Sequence, residues 1–558
     1  VRTWANRLPL LILVVITAGF LVLGVAEAWS DSPTFDEPVY VSSGVAVVLH
    51  HDVTVNEEHP PLAKVLAVLP VLLTHPVVPG NGNWSGNDEY SYGARFVAAQ
   101  LAAGKLREVT FASRLVPLAE TAGVAFVLYA IGSELAGAVA GALAGLLWLA
   151  SPFVLGIGHL DGTDIPFALG VALSSWALLR WLRWRDTRRL AWLGLTLAAA
   201  AETQVTGLLV VASGLVVVVA DQWRSGIARA LAQAALAGLI VWAAVWAVYL
   251  VLDPAMVGQL PLLVPRPYLD GIRYLSVHDG SGSAAYIAGI AYTGGRWWYW
   301  PLSLAIKWPE AGLLLLIAGT IGCLWLPRDL RRRAGVAVGV PAVLLTAFTL
   351  TMPKDVGLRY LFPVLALWAA AAGSGLVAAG SVLRGAGHAT RAGRAAGRGR
   401  VAGAVTAVLL IVALLSTAGS FPDSIAWTAW PFRPNYTMAT DSNVDWGQGL
   451  YALRSWSASR DPWVGYFGPR GITTADIPGA RPLLGTAPEH VSGWVAVSVT
   501  ALNSANRSAL SWLRTWCPVA ILDGSVLIYH FRQAPVASSP APASRPAPLC
   551  PGEWSSAR

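Results

Sequence analysis

The sequence predicts a polytopic α-helical membrane protein with about 11 membrane segments, followed by a small α/β domain outside the bilayer. Three observations carry this. The 558 residues are 55% hydrophobic and only 13% charged, with a mean hydropathy of +0.55 and long apolar runs throughout. Many of the 26 tryptophans stand at the ends of those runs, among them Trp4, Trp29, Trp181, Trp184, Trp192, Trp297, Trp298 and Trp300, as in an interfacial aromatic belt. From Phe421 onward the apolar runs shorten to strand length. The net charge of +8 sits in arginine clusters between apolar runs. It therefore speaks for membrane orientation and not for nucleic acid.

The first run, Leu10–Trp29, follows Arg2 and Arg7. It is too long for a signal-peptide core and is expected to be a retained span. Further runs lie at 111–131, 134–152, 165–182, 191–220, 229–252, 311–326, 335–352, 360–380 and 401–419. Basic clusters at Arg180–Arg189, Arg328–Arg333 and Arg384–Arg400 share the cytoplasmic side if 191–220 enters and leaves on that side. Thirty residues of helix reach only about 45 Å, too short for two crossings of a core about 30 Å thick. The run carries Glu202, Thr203 and Gln204 at its middle. It is expected to be a pair of short or broken helices with a polar tip buried in protein near the outer leaflet. The first domain is thus 1–420, with outer segments at 30–110 and 253–310. Residues 62–73, too short to span, are expected to lie on the membrane surface.

The tail at 421–533 contains strand-like runs at Gly493–Val499 and Ser525–Tyr529, and helix-like stretches at Leu450–Trp456 and Ala509–Trp516. Residues 534–558 begin in an Ala/Pro/Ser-rich stretch expected to be disordered. Cys517 and Cys550 both fall outside the membrane, where pairing is open; Cys323 lies in a span and is expected to pack there.

The ionisable groups gather outside. Phe35-Asp36-Glu37-Pro38 follows the first span, then Glu57-Glu58-His59-Pro60-Pro61-Leu62-Ala63-Lys64. Asp161 and Asp164 fall on the same face, and Asp164 reads equally well as a helix N-cap with Pro166 in the first turn. Pro353-Lys354-Asp355-Val356-Gly357-Leu358-Arg359-Tyr360 enters a later span, and Arg296–Lys307 is a second cationic stretch. Paired carboxylates and fixed cations on one face suit a substrate with a hydroxyl to deprotonate and a phosphate to release. His50, His51, His59 and His75 lack the spacing of a zinc site, so no metal is assigned, and a divalent ion stays open. Asp441-Ser442-Asn443-Val444-Asp445-Trp446-Gly447-Gln448 reads as a turn docking the tail onto the membrane domain, or as a cation loop or sugar platform.

These motifs, with His59–Lys64, Asp164, Trp297–Pro309, Gly357–Pro363 and Asp441–Gln448, resemble the bacterial glycosyltransferases of family 39. These are GT-C membrane enzymes related to protein O-mannosyltransferases and lipid A aminoarabinose transferases. The resemblance implies inverting transfer of a hexosyl or pentosyl group from a polyprenyl-phosphate donor to an acceptor on the outer face of a bacterial inner membrane, with no nucleotide and no further cofactor. It implies Asp36 as general base, with Glu37, Asp161, Asp164 and Tyr360 orienting the base or the acceptor. Arg359, with His59, Lys64 and Gln204, would meet the donor phosphate. Gln204 stands where the family often has the Lys of a Thr-Lys pair. The acceptor remains open among protein, lipid and cell-wall glycan. The alternatives are a lipid or sugar transporter or flippase, which expects functional polar groups near the midplane and internal symmetry, and a silent scaffold.

Overall fold

The computed structural model describes residues 2–79, 89–260, 262–278, 282–385, 392–505 and 507–535. Apolar runs become helices because only internally bonded backbone is stable in hydrocarbon. Helix α1 (Arg2–Ser30) leads into a segment of three shorter helices, α2 (Glu37–His50), α3 (Pro61–Leu72) and α4 (Glu89–Ala102). The helix expected at 62–73 is α3. Next come α5 (Leu106–Ala136), α6 (Ala138–Leu149), α7 (Pro152–Gly158), α8 (Asp164–Trp184), α9 (Thr187–Thr203), α10 (Gly207–Gln222) and α11 (Ile227–Leu252). After α12 (Arg266–His278) and a hairpin of β1 (Ala284–Ile287) with β2 (Ile290–Thr293), the chain continues through α13 (Tyr299–Lys307), α14 (Glu310–Gly322), α15 (Arg328–Ala334), α16 (Val340–Leu350), α17 (Phe362–Gly385) and α18 (Ala392–Ser420).

Of the expected 11 or so membrane segments, eight are helices among the described residues that are long and apolar enough to cross a membrane, and α6 with α7, bent by 69°, makes a ninth. The remaining two expected segments are helical but short: α9 has 17 residues, and the helix from Glu310 stops at Trp325. The 191–220 pair is present, and its legs run beyond the apolar run, to Thr187 and to Ser225. Its break falls at Gln204, whose backbone is extended at φ −153° and ψ 140°. Gly207 closes the turn where a Cβ would lie 2.3 Å from the Ala200 carbonyl oxygen.

The basic clusters gather at the end of the bundle away from Asp36. Arg185 forks onto Asp221 at 2.6 and 2.9 Å, Arg332 approaches the same carboxylate at 3.6 Å, and Arg384 lies at the matching end of α17. Arg391 lies outside the described residues.

The tail folds as expected of an α/β unit. Helix α19 (Leu450–Ser457) packs on a sheet of β3 (Trp463–Gly465), β4 (Arg481–Pro482), β5 (Gly493–Ser498), β6 (Ala520–Leu522) and β7 (Val526–Phe531), in the order β4-β3-β5-β7-β6. Strands β3–β4 and β3–β5 are parallel, and the rest antiparallel. Alternation sends Val495 and Val497 into one cluster and Ala496 into the other, with α19. The helix expected at 509–516 is instead a 3₁₀ turn, Ser511–Thr515. Ser511 and Thr515 donate their hydroxyls to nearby carbonyls, which competes with an α-helical ladder. Cys517 is disulfide-bonded and Cys323 is free; Cys550 and the expected disordered end from 536 onward lie outside the described residues.

Candidate active site

Asp36 precedes α2 at the N-cap position, yet its carboxylate makes no capping bond. It turns to Arg359, whose Nη2 donates to its Oδ2 at 3.1 Å. The Nη1 of Arg359 donates to Asp164 Oδ2 at 2.9 Å. The N-cap reading of Asp164 is therefore corrected: Thr163 holds that position, and Asp164, the first helical residue, faces the arginine. The guanidinium lies 4.3 Å from the Trp446 ring centroid and 4.9 Å from that of Tyr360. Burial pushes the Asp36 acid upward, and the Arg359 charge opposes it. A carboxylate raised in this way suits a base working near neutral pH.

The tail run brackets this pair. Trp446 and Gln448 carbonyls accept from the backbone N–H groups of Phe35 and Ser32, both at 2.9 Å. On the other side Asn443 Oδ1 accepts from Leu358 N–H at 3.0 Å, and Ser442 donates to the Val356 carbonyl at 2.8 Å. The docking reading of Asp441–Gln448 thus holds, and the same run forms a wall of the site. Gly357 has φ 151°, and a Cβ there would lie 1.8 Å from Ser442 Oγ. Gly357→Ala is expected to push the Arg359 loop off the bracket and lower turnover about 10- to 100-fold, since small misplacements of reacting groups cost that much. A wild-type rate in the same assay would mean the bracket does not set the geometry.

Several expected site residues have other duties. Glu37 is buried and accepts from Arg114 Nε and Nη2, both at 2.7 Å, from Thr34 N–H at 2.7 Å and from Asp161 N–H at 3.1 Å. Arg114 spends its remaining N–H groups on the carbonyls of Ala28, Asp31 and Ser32. Glu37 therefore locks the end of α1 and the loop before Asp36, and is not available to a substrate. Burial would raise its pKa, but Arg114 outweighs it, and the net shift is downward. Its stabilisation is thus complete above the ordinary value of 4.5 and is lost as pH falls through the lower folded value. Arg114→Met strands a buried carboxylate and is expected to cost about 3–5 kcal/mol, read as a lowered unfolding temperature in detergent.

Lys64 is corrected likewise. Its Nζ donates to Asn56 O at 2.6 Å, Asn56 Oδ1 at 2.8 Å and His59 O at 2.7 Å. All three donors tie the loop, and burial lowers its pKa to about 7. His59 does reach the site, but burial and Lys64 push it down to about 3. It is a neutral imidazole and not a phosphate-binding cation, and among the described residues its Nδ1 has no hydrogen-bond partner. Asp161 is buried, with no partner among the described residues for either carboxylate oxygen, and burial holds it well above the usual range. Its backbone N–H donates to Glu37, and its side chain lines neither of the site's two cavities. Lys307 is buried and donates to the Ile425 and Trp427 carbonyls, anchoring the chain after α18.

Two cavities meet here. One, of about 470 Å³, is mostly apolar, with Phe167, Leu208, Leu209, Leu345 and Phe348 in its walls and Gln204 at the hairpin tip. The other, of about 270 Å³, holds Asp36, Arg359, Asp441 and Trp446. Glu58, His59, Lys354 and Tyr360 line both. Lys354, in the run that enters the later span, stands at the junction of the two cavities. Arg114 was missed; a lone arginine inside an apolar run was its signal. Among the described residues, no group of three His, Cys, Asp or Glu is placed to hold a metal.

Residues 99–249 match the family described as dolichyl-phosphate-mannose-protein mannosyltransferase. Over that stretch the chain is similar to this family. It contains Asp161, Asp164 and the Gln204 hairpin. Among solved structures, ArnT from Cupriavidus metallidurans bound to undecaprenyl phosphate is 15% identical, with a TM-score of 0.48, covering 95% of this chain and 99% of its own. The oligosaccharyltransferase AglB from Archaeoglobus fulgidus, in complex with an inhibitory peptide and a dolichol-phosphate, is 12% identical, with a TM-score of 0.49, over 91% of this chain and 71% of its own. No curated protein matches the chain.

Proposed function

We propose that the chain is an integral-membrane inverting glycosyltransferase that moves a sugar from a polyprenyl-phosphate donor to an acceptor hydroxyl. The observation that carries this reading is the meeting of an apolar cavity with a polar one at Lys354, His59 and Tyr360, beside Asp36 and Arg359. The prenyl chain lies between α10 and α16, the phosphate sits at the junction, and the sugar projects into the polar cavity. Asp36 takes the acceptor proton as its oxygen attacks the anomeric carbon. The bond from that carbon to the phosphate oxygen breaks, and the lipid phosphate leaves with the electron pair. Lys354 and Arg359 stabilise its charge. Cations positioned in advance make a separate general acid unnecessary. With the basic clusters on the cytoplasmic side, the site and the tail face outward across a bacterial inner membrane. Protein, lipid and cell-wall glycan all fit as acceptors, and the sugar is a hexose or a pentose.

Paired acids and an arginine at one end of the bundle favour transfer over transport. The test is release of polyprenyl phosphate from a panel of synthetic polyprenyl-phosphate sugars in proteoliposomes, with a membrane extract as acceptor. Release with a labelled product supports the reading. No release from any donor, by protein shown to be folded, rejects it.

A further inference from the structure

Asp441 stands on the tail's side of the polar cavity, within the field of both Asp36 and Arg359. Its backbone is left-handed, with φ 55°, a region that Asp and Asn enter more readily than most residues. The turn is held by its Oδ1, which accepts from Ser442 N–H at 2.7 Å, and by its own N–H, which donates to Thr500 Oγ1 at 2.9 Å. Among the described residues nothing donates to Oδ2. Thr500 and Ser504, also from the tail, line the same wall. Arg359 faces this cavity too, 6% exposed and with its Nε unpaired. The cavity therefore holds unsatisfied polar groups on both the membrane and the tail sides.

We propose that Asp441 is a substrate-binding residue whose Oδ2 accepts a hydrogen bond from a ring hydroxyl of the donor sugar, so that the tail helps select which sugar is transferred. This rests on the glycosyltransferase reading. A sugar tethered through its phosphate to the Lys354–Tyr360 junction presents its anomeric carbon to Asp36. Its remaining hydroxyls then face the opposite wall, where Asp441 is the acceptor without a partner. A turn-capping role alone needs only Oδ1. An asparagine at this position keeps that oxygen and tolerates the same backbone, but places an amide donor where the second acceptor was. Burial, opposed by Arg359, pushes the Asp441 acid up to about 7, so its acceptor strength rises with pH through that range.

The experiment uses the full chain in proteoliposomes. It compares wild type with Asp441→Asn on the preferred donor and on a set of its monodeoxy analogues. Asp441→Asn is expected to lower kcat/KM on the full donor about 10- to 100-fold, the range for a hydrogen bond to a charged group. One deoxy analogue should cost wild type a similar factor and cost the variant nothing further, a coupling that a merely structural role does not produce. Asp441→Gly, which keeps the left-handed turn, gives a second reading if the Asn variant folds poorly. Active wild type, with variants that match its rate or discriminate among all deoxy donors as it does, overturns this inference alone. Wild type that releases no polyprenyl phosphate overturns the glycosyltransferase reading and this inference with it.

Discussion

Asp36→Asn is expected to reduce polyprenyl-phosphate release about 10²- to 10⁴-fold, the range for removing a positioned general base, while the folded state survives. The substitution is close to isosteric, and the carboxylate it replaces makes no capping bond to α2. The remaining amide oxygen still accepts from Arg359. Binding should therefore change less than turnover, with kcat falling and KM near wild type. In wild type the rate should rise with pH as Asp36 ionises. That limb lies above the ordinary carboxylate position of 3.8, because burial raises the acid. The variant should lose this limb altogether. A variant that keeps wild-type turnover would remove Asp36 from the mechanism.

Arg359→Gln has the second large effect. The guanidinium holds Asp36 and Asp164 at once, at 3.1 and 2.9 Å, so its loss leaves two carboxylates facing each other without their counter-charge. The Arg359 charge is the larger of two, with Lys354, that oppose burial at Asp36. Without it the base moves further upward, and the rising limb of the pH profile shifts to higher pH. The leaving phosphate also loses a donor, and the combined loss is expected to reach at least about 10²- to 10³-fold at neutral pH, the range for one transition-state donor. Arg359→Lys should recover little, because an ammonium cannot match the planar fork that grips both acids. Activity at high pH that returns only in the Gln variant would separate the two contributions. An unshifted profile would show that Arg359 does not tune the base.

The helices and the acid–arginine pairing were legible because both rest on local patterns. Run length marks spans, and Asp36, Asp164 and Arg359 each stand where an apolar run begins or ends. What was not legible is how far neighbours use up a charge. Lys64 and Glu37 look as available as Arg359 in one dimension, yet Lys64 is consumed by Asn56 and the His59 carbonyl and Glu37 by Arg114. His59 reads as a potential cation until burial beside Lys64 is known. The membrane segments are legible for a related reason only as apolar stretches. Hydropathy does not mark where a helix bends, as α6 and α7 do, or where it stops, as α9 does after 17 residues. The two roles of Asp441–Gln448, holding the loops together and facing the cavity, come from contacts across hundreds of residues.

Those contacts impose an order on biogenesis. Ser32 and Gln448, 416 residues apart, must meet before the loop bearing Asp36 and the loop bearing Arg359 are held in one frame. During synthesis the base emerges with the first span and the arginine much later, and the frame is completed only when the last span is inserted and the tail has folded. A nascent chain thus carries Asp36 and Asp164 for a time without the guanidinium that later holds both. In the finished protein, a single proteolytic cut that frees the 441–448 run would silence the centre while leaving every membrane helix intact.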